Sequence, residues 1–127
     1  MPAGDLTPAQ RADLQRILLH AEEMSGLTFS VYVGSYDGGR ERVERMLAEL
    51  SHPDRSVMVA VDPDHRTLEI VTGRLARIPI DDHACGLAAL SMTSSFSAGD
   101  LMGGLRDGIN VLADHGRRMR VAHVDQV

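Results

Sequence analysis

Five successive apolar residues, Val57-Met58-Val59-Ala60-Val61, constrain this chain more than any other feature. The run is short and apolar on both faces that a strand presents, which predicts a central β-strand covered above and below. Upstream, Phe29, Val31 and Val33 alternate with Ser30 and Tyr32, the period-two pattern of a second strand. Between the two, Val43, Met46, Leu47 and Leu50 mark an amphipathic helix, and Ser51-His52-Pro53-Asp54 breaks it. Strand, helix and strand in that order make a βαβ unit, so the two strands are expected to be parallel with a right-handed crossover. Asp62-Pro63-Asp64-His65-Arg66 leaves no room for another helix. The next strand, Thr67–Thr72, therefore returns antiparallel as a hairpin.

Helices account for the rest. Thr7-Pro8-Ala9-Gln10 carries a capping residue, a first-turn proline and a capping-box glutamine, and Leu14, Ile17, Leu18 and Ala21 follow on one stripe until Gly26. After Gly73 the stretch Arg74–Ile80 is irregular. Asp81 or Asp82 then caps a third helix expected to reach Met92, apolar on nearly all sides and hence buried, before Ser91–Ser97 fades into hydroxyl-rich chain. A fourth helix over about Asp100–His115 buries Leu101, Leu105, Ile109 and Leu112, with Gly116 closing it. The expected fold is α/β: a three-layer α/β/α sandwich with a small mixed sheet, a parallel βαβ unit plus an antiparallel hairpin strand. It forms one domain over 8–116, with 1–7 and 117–127 as flexible termini.

Composition narrows the function by exclusion. Only Phe29, Phe96, Tyr32 and Tyr36 are aromatic, and the net charge is −5. Single-stranded nucleic acid is bound on aromatic platforms and cationic grooves, so no nucleic-acid partner is expected. All 13 Lys/Arg positions are arginine, which removes Schiff-base lysine chemistry and the phosphate-loop lysine. The single cysteine, Cys85, excludes an intramolecular disulfide; it is expected to be a buried, unreactive core residue. Met1–Thr7 lacks the basic start and apolar run of a signal peptide, and the longest apolar-rich run, Cys85–Leu90, is far below the ~20 residues of a spanning helix. The chain is accordingly expected to be soluble and cytoplasmic, without membrane insertion.

The order of these elements resembles the TPM domain family, which includes thylakoid-lumen proteins described as acid phosphatases and photosystem-repair factors. The matching features are the TFSVYVG and VMVAVD strands, the acidic turn with Asp62, Asp64 and Arg66, and Gly73 after LEIVTG. An acid at Asp81 or Asp82 opens the following helix, and Gly99-Asp100 opens the last one, with Gly104 and Gly108 behind it. The chain is still more similar to an actinobacterial family of unknown function in which Ser91–Phe96 and Ala98–Leu101 recur. The likeness spans about Leu14 to Asp114. It departs from the TPM pattern where a glycine-and-acid-rich loop is replaced by Arg74-Leu75-Ala76-Arg77, and no flanking membrane segment is expected.

Ligands of open α/β sheets gather beyond the carboxyl ends of parallel strands. Ser35–Asp37 and Asp62–Asp64 leave two such ends, so Asp37, Asp62 and Asp64 are the candidate ligands for Ca²⁺ or Mg²⁺, with His65 as an added nitrogen or general acid. The competing account of Asp-Pro-Asp-His is a hydrogen-bonded turn. Asp81-Asp82 is expected to be a helix cap, Ser91–Ser97 to supply capping and turn bonds, and Arg117-Arg118-Arg120 to be solvated. The leading functional expectation is a TPM-like binding or regulatory module without established catalysis, facing an unidentified protein partner or a weakly held divalent cation. One alternative is a metal-assisted phosphatase using Asp37, Asp62 and Asp64, with Arg66 and Arg40 stabilising transition-state charge. Another is a homo-oligomeric structural protein joined through the third helix.

Overall fold

Helix α1 (Pro8–Ser25) starts as its sequence dictates. The Thr7 side chain accepts from the Gln10 amide, the Gln10 side chain accepts from the Thr7 amide, and Gly26 ends the helix in the left-handed region at φ 76°. The computed structural model describes residues 6–125, so the expected flexibility of 1–5 and 126–127 lies outside the described residues. After α1 come β1 (Thr28–Val33), α2 (Gly39–Ala48), a short 3₁₀ turn (Pro53–Arg55), β2 (Ser56–Asp62) and β3 (Thr67–Thr72). Two long helices, α3 (Asp82–Ser97) and α4 (Leu101–Asp125), complete the chain.

The sheet has the order β1-β2-β3. β1 lies parallel to β2, with Thr28 opposite Ser56 and Val33 opposite Val61. β3 runs antiparallel on the other side, with Val57 opposite Thr72 and Asp62 opposite Thr67. Every residue of β2 is buried, and its pleat divides them between two cores. Val57, Val59 and Val61 join Phe29, Ile70 and the apolar stripes of α1, α3 and α4, including Leu14, Leu105, Ile109 and Leu112. Met58 and Ala60 face the other way and pack with Val71 against Val43 and Leu47 of α2. One helix therefore covers one face of the sheet and three cover the other, a three-layer α/β/α sandwich.

Three helical expectations are corrected. α3 does not fade at Met92; it runs to Ser97, and Asp81 is the cap, accepting from the Ala84 amide at 2.9 Å. Nor is it buried all round: Ala84, Ala88 and Met92 face the core, while Leu87 and Leu90 are 42% and 70% exposed. α4 does not stop at Gly116 but continues to Asp125. Gly116 is instead a close approach inside the helix, where an added Cβ would lie 2.8 Å from Ser25 Cβ at the end of α1. The helix thus runs past its expected end at Gly116 as far as Asp125. No helix among the described residues is long and apolar enough to cross a membrane.

Candidate functional site

The β2–β3 hairpin is built on a buried carboxylate. Asp62 is 2% exposed. Its Oδ1 accepts from the backbone amides of Asp64 (3.2 Å) and His65 (3.3 Å), an Asx-type closure of the turn. Its Oδ2 lies 2.7 Å from Nδ1 of His65, whose ring is otherwise largely in solvent. Opposite a carboxylate, Nδ1 carries the proton and donates. Burial works against the Asp62 charge. The His65 ring, the His65 amide, the imidazolium charge and the Asp64 amide together outweigh it and hold the carboxyl below its ordinary 3.8. His65 is raised above its ordinary 6.5, first by the hydrogen bond to Asp62 and then by the Asp62 charge; desolvation opposes this, and Asp64 and Asp37 add to it.

This pair has a defined pH window. The raised histidine contributes stability that is complete below pH 6.5 and lost as pH rises through its folded-state value. The lowered carboxyl contributes stability that is complete above pH 3.8 and lost as pH falls through its folded-state value. The stability gap between the wild type and His65→Gln is therefore expected to be widest between those two pH values and to narrow on either side. Urea melts from pH 3 to 9 measure it, and a gap that widens above pH 7 contradicts the pairing.

Beyond the carboxyl end of β2 the hairpin faces the far end of α3 across a cleft of about 460 Å³. Asp62, Pro63, Arg66, Thr67 and Leu68 line one side. Thr93, Phe96 and Ser97 of α3, then Gly99 and Leu101, line the other. The Gly99 corner that positions them is itself tightly bonded. Gly99 adopts φ 82°, the Asp100 amide donates to Ser95 O at 2.8 Å, and Asp100 Oδ1 accepts from the Gly103 amide at 2.8 Å to cap α4. The Gly-Asp pair is thus a turn and a cap.

Of the residues singled out in the sequence, the structure gathers some and separates others. Asp62 and Arg66 line the cleft. Asp64 and His65 form the exposed tip of the turn, and Asp37 is an exposed loop residue after β1 whose charge reaches His65. Among the described residues, no three His, Cys, Asp or Glu side chains are grouped so as to hold a metal ion. Arg40 does not join Arg66: its guanidinium donates to Glu69 Oε2 (3.2 Å) and Ile70 O (3.3 Å) on β3. Cys85 is half-buried rather than buried; burial first, then Asp82, pushes its thiol up, with Arg40 opposing and Asp81 adding. Both effects disfavour the reactive thiolate. Sequence reasoning missed Thr67, Thr93, Phe96 and Ser97 as cleft residues. The i, i+4 spacing of Thr93 and Ser97 would have placed both on one helix face, had the helix been carried through Ser97.

Fold and site together define a small three-layer α/β domain with a cleft at the carboxyl end of its central strand. The chain belongs to the family described as Domain of unknown function (DUF5130), whose model matches residues 5–113. It is 30% identical over 115 residues to the Uncharacterized protein Rv2468c of Mycobacterium tuberculosis, strain H37Rv, and equally to its counterpart in strain CDC 1551 / Oshkosh. The match covers 88% of this chain and 65% of those proteins, so the chain spans about two thirds of the length of the curated relatives it matches. The fold is shared with the BA42 protein of the psychrophilic bacterium Bizionia argentinensis, solved by NMR. There the TM-score is 0.79 at 16% identity, covering 91% of this chain and 84% of that one. The N-terminal domain of the cg2496 protein of Corynebacterium glutamicum is also similar, with a TM-score of 0.71 at 14% identity, covering 90% and 76%.

Proposed function

We propose that this domain is a TPM-like binding or regulatory module that holds a ligand without transforming it. The observation that supports this reading is the cleft beside Asp62, which combines apolar walls with polar groups yet places no base beside its hydroxyls. Both Asp62 oxygens are engaged by the turn, and His65 Nδ1 is tied to one of them. Thr93 and Ser97 offer hydroxyls, but no histidine or cysteine is among the residues lining the cleft. A hydroxyl nucleophile needs a positioned base and a stabiliser for the developing charge. Nucleic acid is not part of the proposal, in view of the −5 net charge and the scarcity of aromatics.

Weak binding of Ca²⁺ or Mg²⁺ by Asp37, Asp62 and Asp64 belongs to the same proposal. The negative charges of all three act on the His65 ring, and hard cations take carboxylate oxygens. The three carboxylates are not grouped as they stand and Asp62 must first give up its bond to His65, so Ca²⁺ affinity is expected only near ~10⁻³ M, the weak end for oxygen-ligand sites. His65→Gln is expected to tighten it by freeing Oδ2. Calorimetric titration with Ca²⁺, beside a p-nitrophenyl phosphate assay at acid and neutral pH, tests both halves. The expected outcome is weak cation binding and no phosphate release above background. Hydrolysis abolished by Asp62→Asn with the fold intact would replace this reading with the phosphatase.

A further inference from the structure

Arg66 is the one non-glycine residue with a positive φ among the described residues, at 53°. A left-handed residue closing a four-residue hairpin loop is ordinary for glycine or asparagine and uncommon for a long cationic side chain. Arg66 lines the cleft, and among the described residues its guanidinium has no hydrogen-bond or ion-pair partner. The other charged residue of the cleft, Asp62, is already matched by His65.

The remaining lining divides by burial. Leu68, Phe96 and Leu101 are half-buried and apolar, whereas the hydroxyl residues Thr67, Thr93 and Ser97 are exposed, as Arg66 is. Half-buried apolar side chains beside exposed hydroxyls and a single unpaired positive charge match a small molecule that is apolar at one end and singly anionic at the other. A guanidinium presents a planar fork that a carboxylate meets with two parallel hydrogen bonds. The cleft, at about 460 Å³, has room for such a ligand. We infer that it binds a small monoanionic organic acid, the acid group on Arg66 and the exposed hydroxyls, the apolar body against Leu68, Phe96 and Leu101. This inference rests on the binding-module reading and names the ligand class that reading leaves open.

The test uses three probes with the same six-carbon chain and different heads: hexanoate, 1-hexanol and hexylamine. Each is titrated into the ¹⁵N-labelled protein at pH 7 and fixed ionic strength. Hexanoate is expected to shift the amides of Arg66, Thr67, Thr93, Ser97 and Leu101 saturably, and to bind about tenfold tighter than hexanol, the value of one charge-assisted hydrogen bond. Hexylamine is expected to bind more weakly than hexanol. Arg66→Gly, which suits the left-handed backbone and so keeps the hairpin, should remove the preference for hexanoate over hexanol; Arg66→Lys should restore part of it. Equal affinity for the three probes at these residues, or a preference that survives Arg66→Gly, overturns the anion while leaving the cleft a binding site. No saturable shift at these residues with any probe overturns the binding-module reading as well.

Discussion

Gly73→Ala is expected to cost about 3 kcal/mol of folding stability, the upper part of the range for forcing an extra methyl into filled space. A Cβ at Gly73 would run into the carbonyl oxygen of Pro53 and lie 2.7 Å from both C and O of Asp54. These are backbone atoms, so no side-chain rotation relieves the collision. Nor can the backbone withdraw freely. The Gly73 amide donates to Ser56 O at 2.8 Å, and Asp54 O accepts from Leu75 (2.8 Å) and Ala76 (3.1 Å). Moving the strand end away breaks these bonds and pulls on the following segment, where Ala76 and Ile80 are fully buried. Gly86→Ala is the matched control. Gly86 lies in the exposed interior of α3 with nothing within 4 Å of an added Cβ, so the same substitution should stabilise by up to about 1 kcal/mol through helix propensity. Thermal melts should separate the two variants by more than ~10 °C. A Gly73→Ala protein as stable as the wild type would refute the close approach.

Met92 and Gly108 are expected to be coupled. Met92 is fully buried between α3 and α4, and it fills the space left by the missing side chain of Gly108. A Cβ there would collide with Met92 Cγ and Cε and lie 3.0 Å from its sulfur. Gly108→Ala alone overpacks the contact and should cost about 2 kcal/mol. Met92→Ala alone leaves a cavity and should cost about 3 kcal/mol. In the double variant the new methyl enters the vacated volume, so its cost should be no larger than that of Met92→Ala alone. The coupling, about 2 kcal/mol in the stabilising direction, lies within the range for residues in contact. Chemical denaturation of the four proteins measures it directly, and strict additivity would show that the two residues do not share that space.

The backbone plan was legible because it depends on local patterns. The apolar run Val57–Val61 announces a strand covered on both faces, and its two cores fall on alternate residues as the pleat requires. The four-residue turn Pro63–Arg66 leaves only an antiparallel return for β3. The first helix begins at its capping box and ends at Gly26 because both are interactions between residues a few positions apart. Gly73 was visible as the glycine after the third strand, but its reason was not. The strain it relieves comes from Pro53 and Asp54, which the chain brings back from some twenty residues upstream.

Composition and hydrophobic period determined the layers, the sheet order and the exclusion of lysine chemistry, since each follows from residue type or near-neighbour spacing. Tertiary contact alone decided that α4 runs on past Gly116, which reads as a stop until Ser25 is found packed against it. It also decided what Asp62 does within the turn, where the Asp64 and His65 amides and the His65 ring engage both of its oxygens. The cleft belongs to the tertiary structure in the same sense. Its two walls, 62–68 and 93–101, carry no shared periodicity and come together only because β3 and α3 bury their apolar residues in one core.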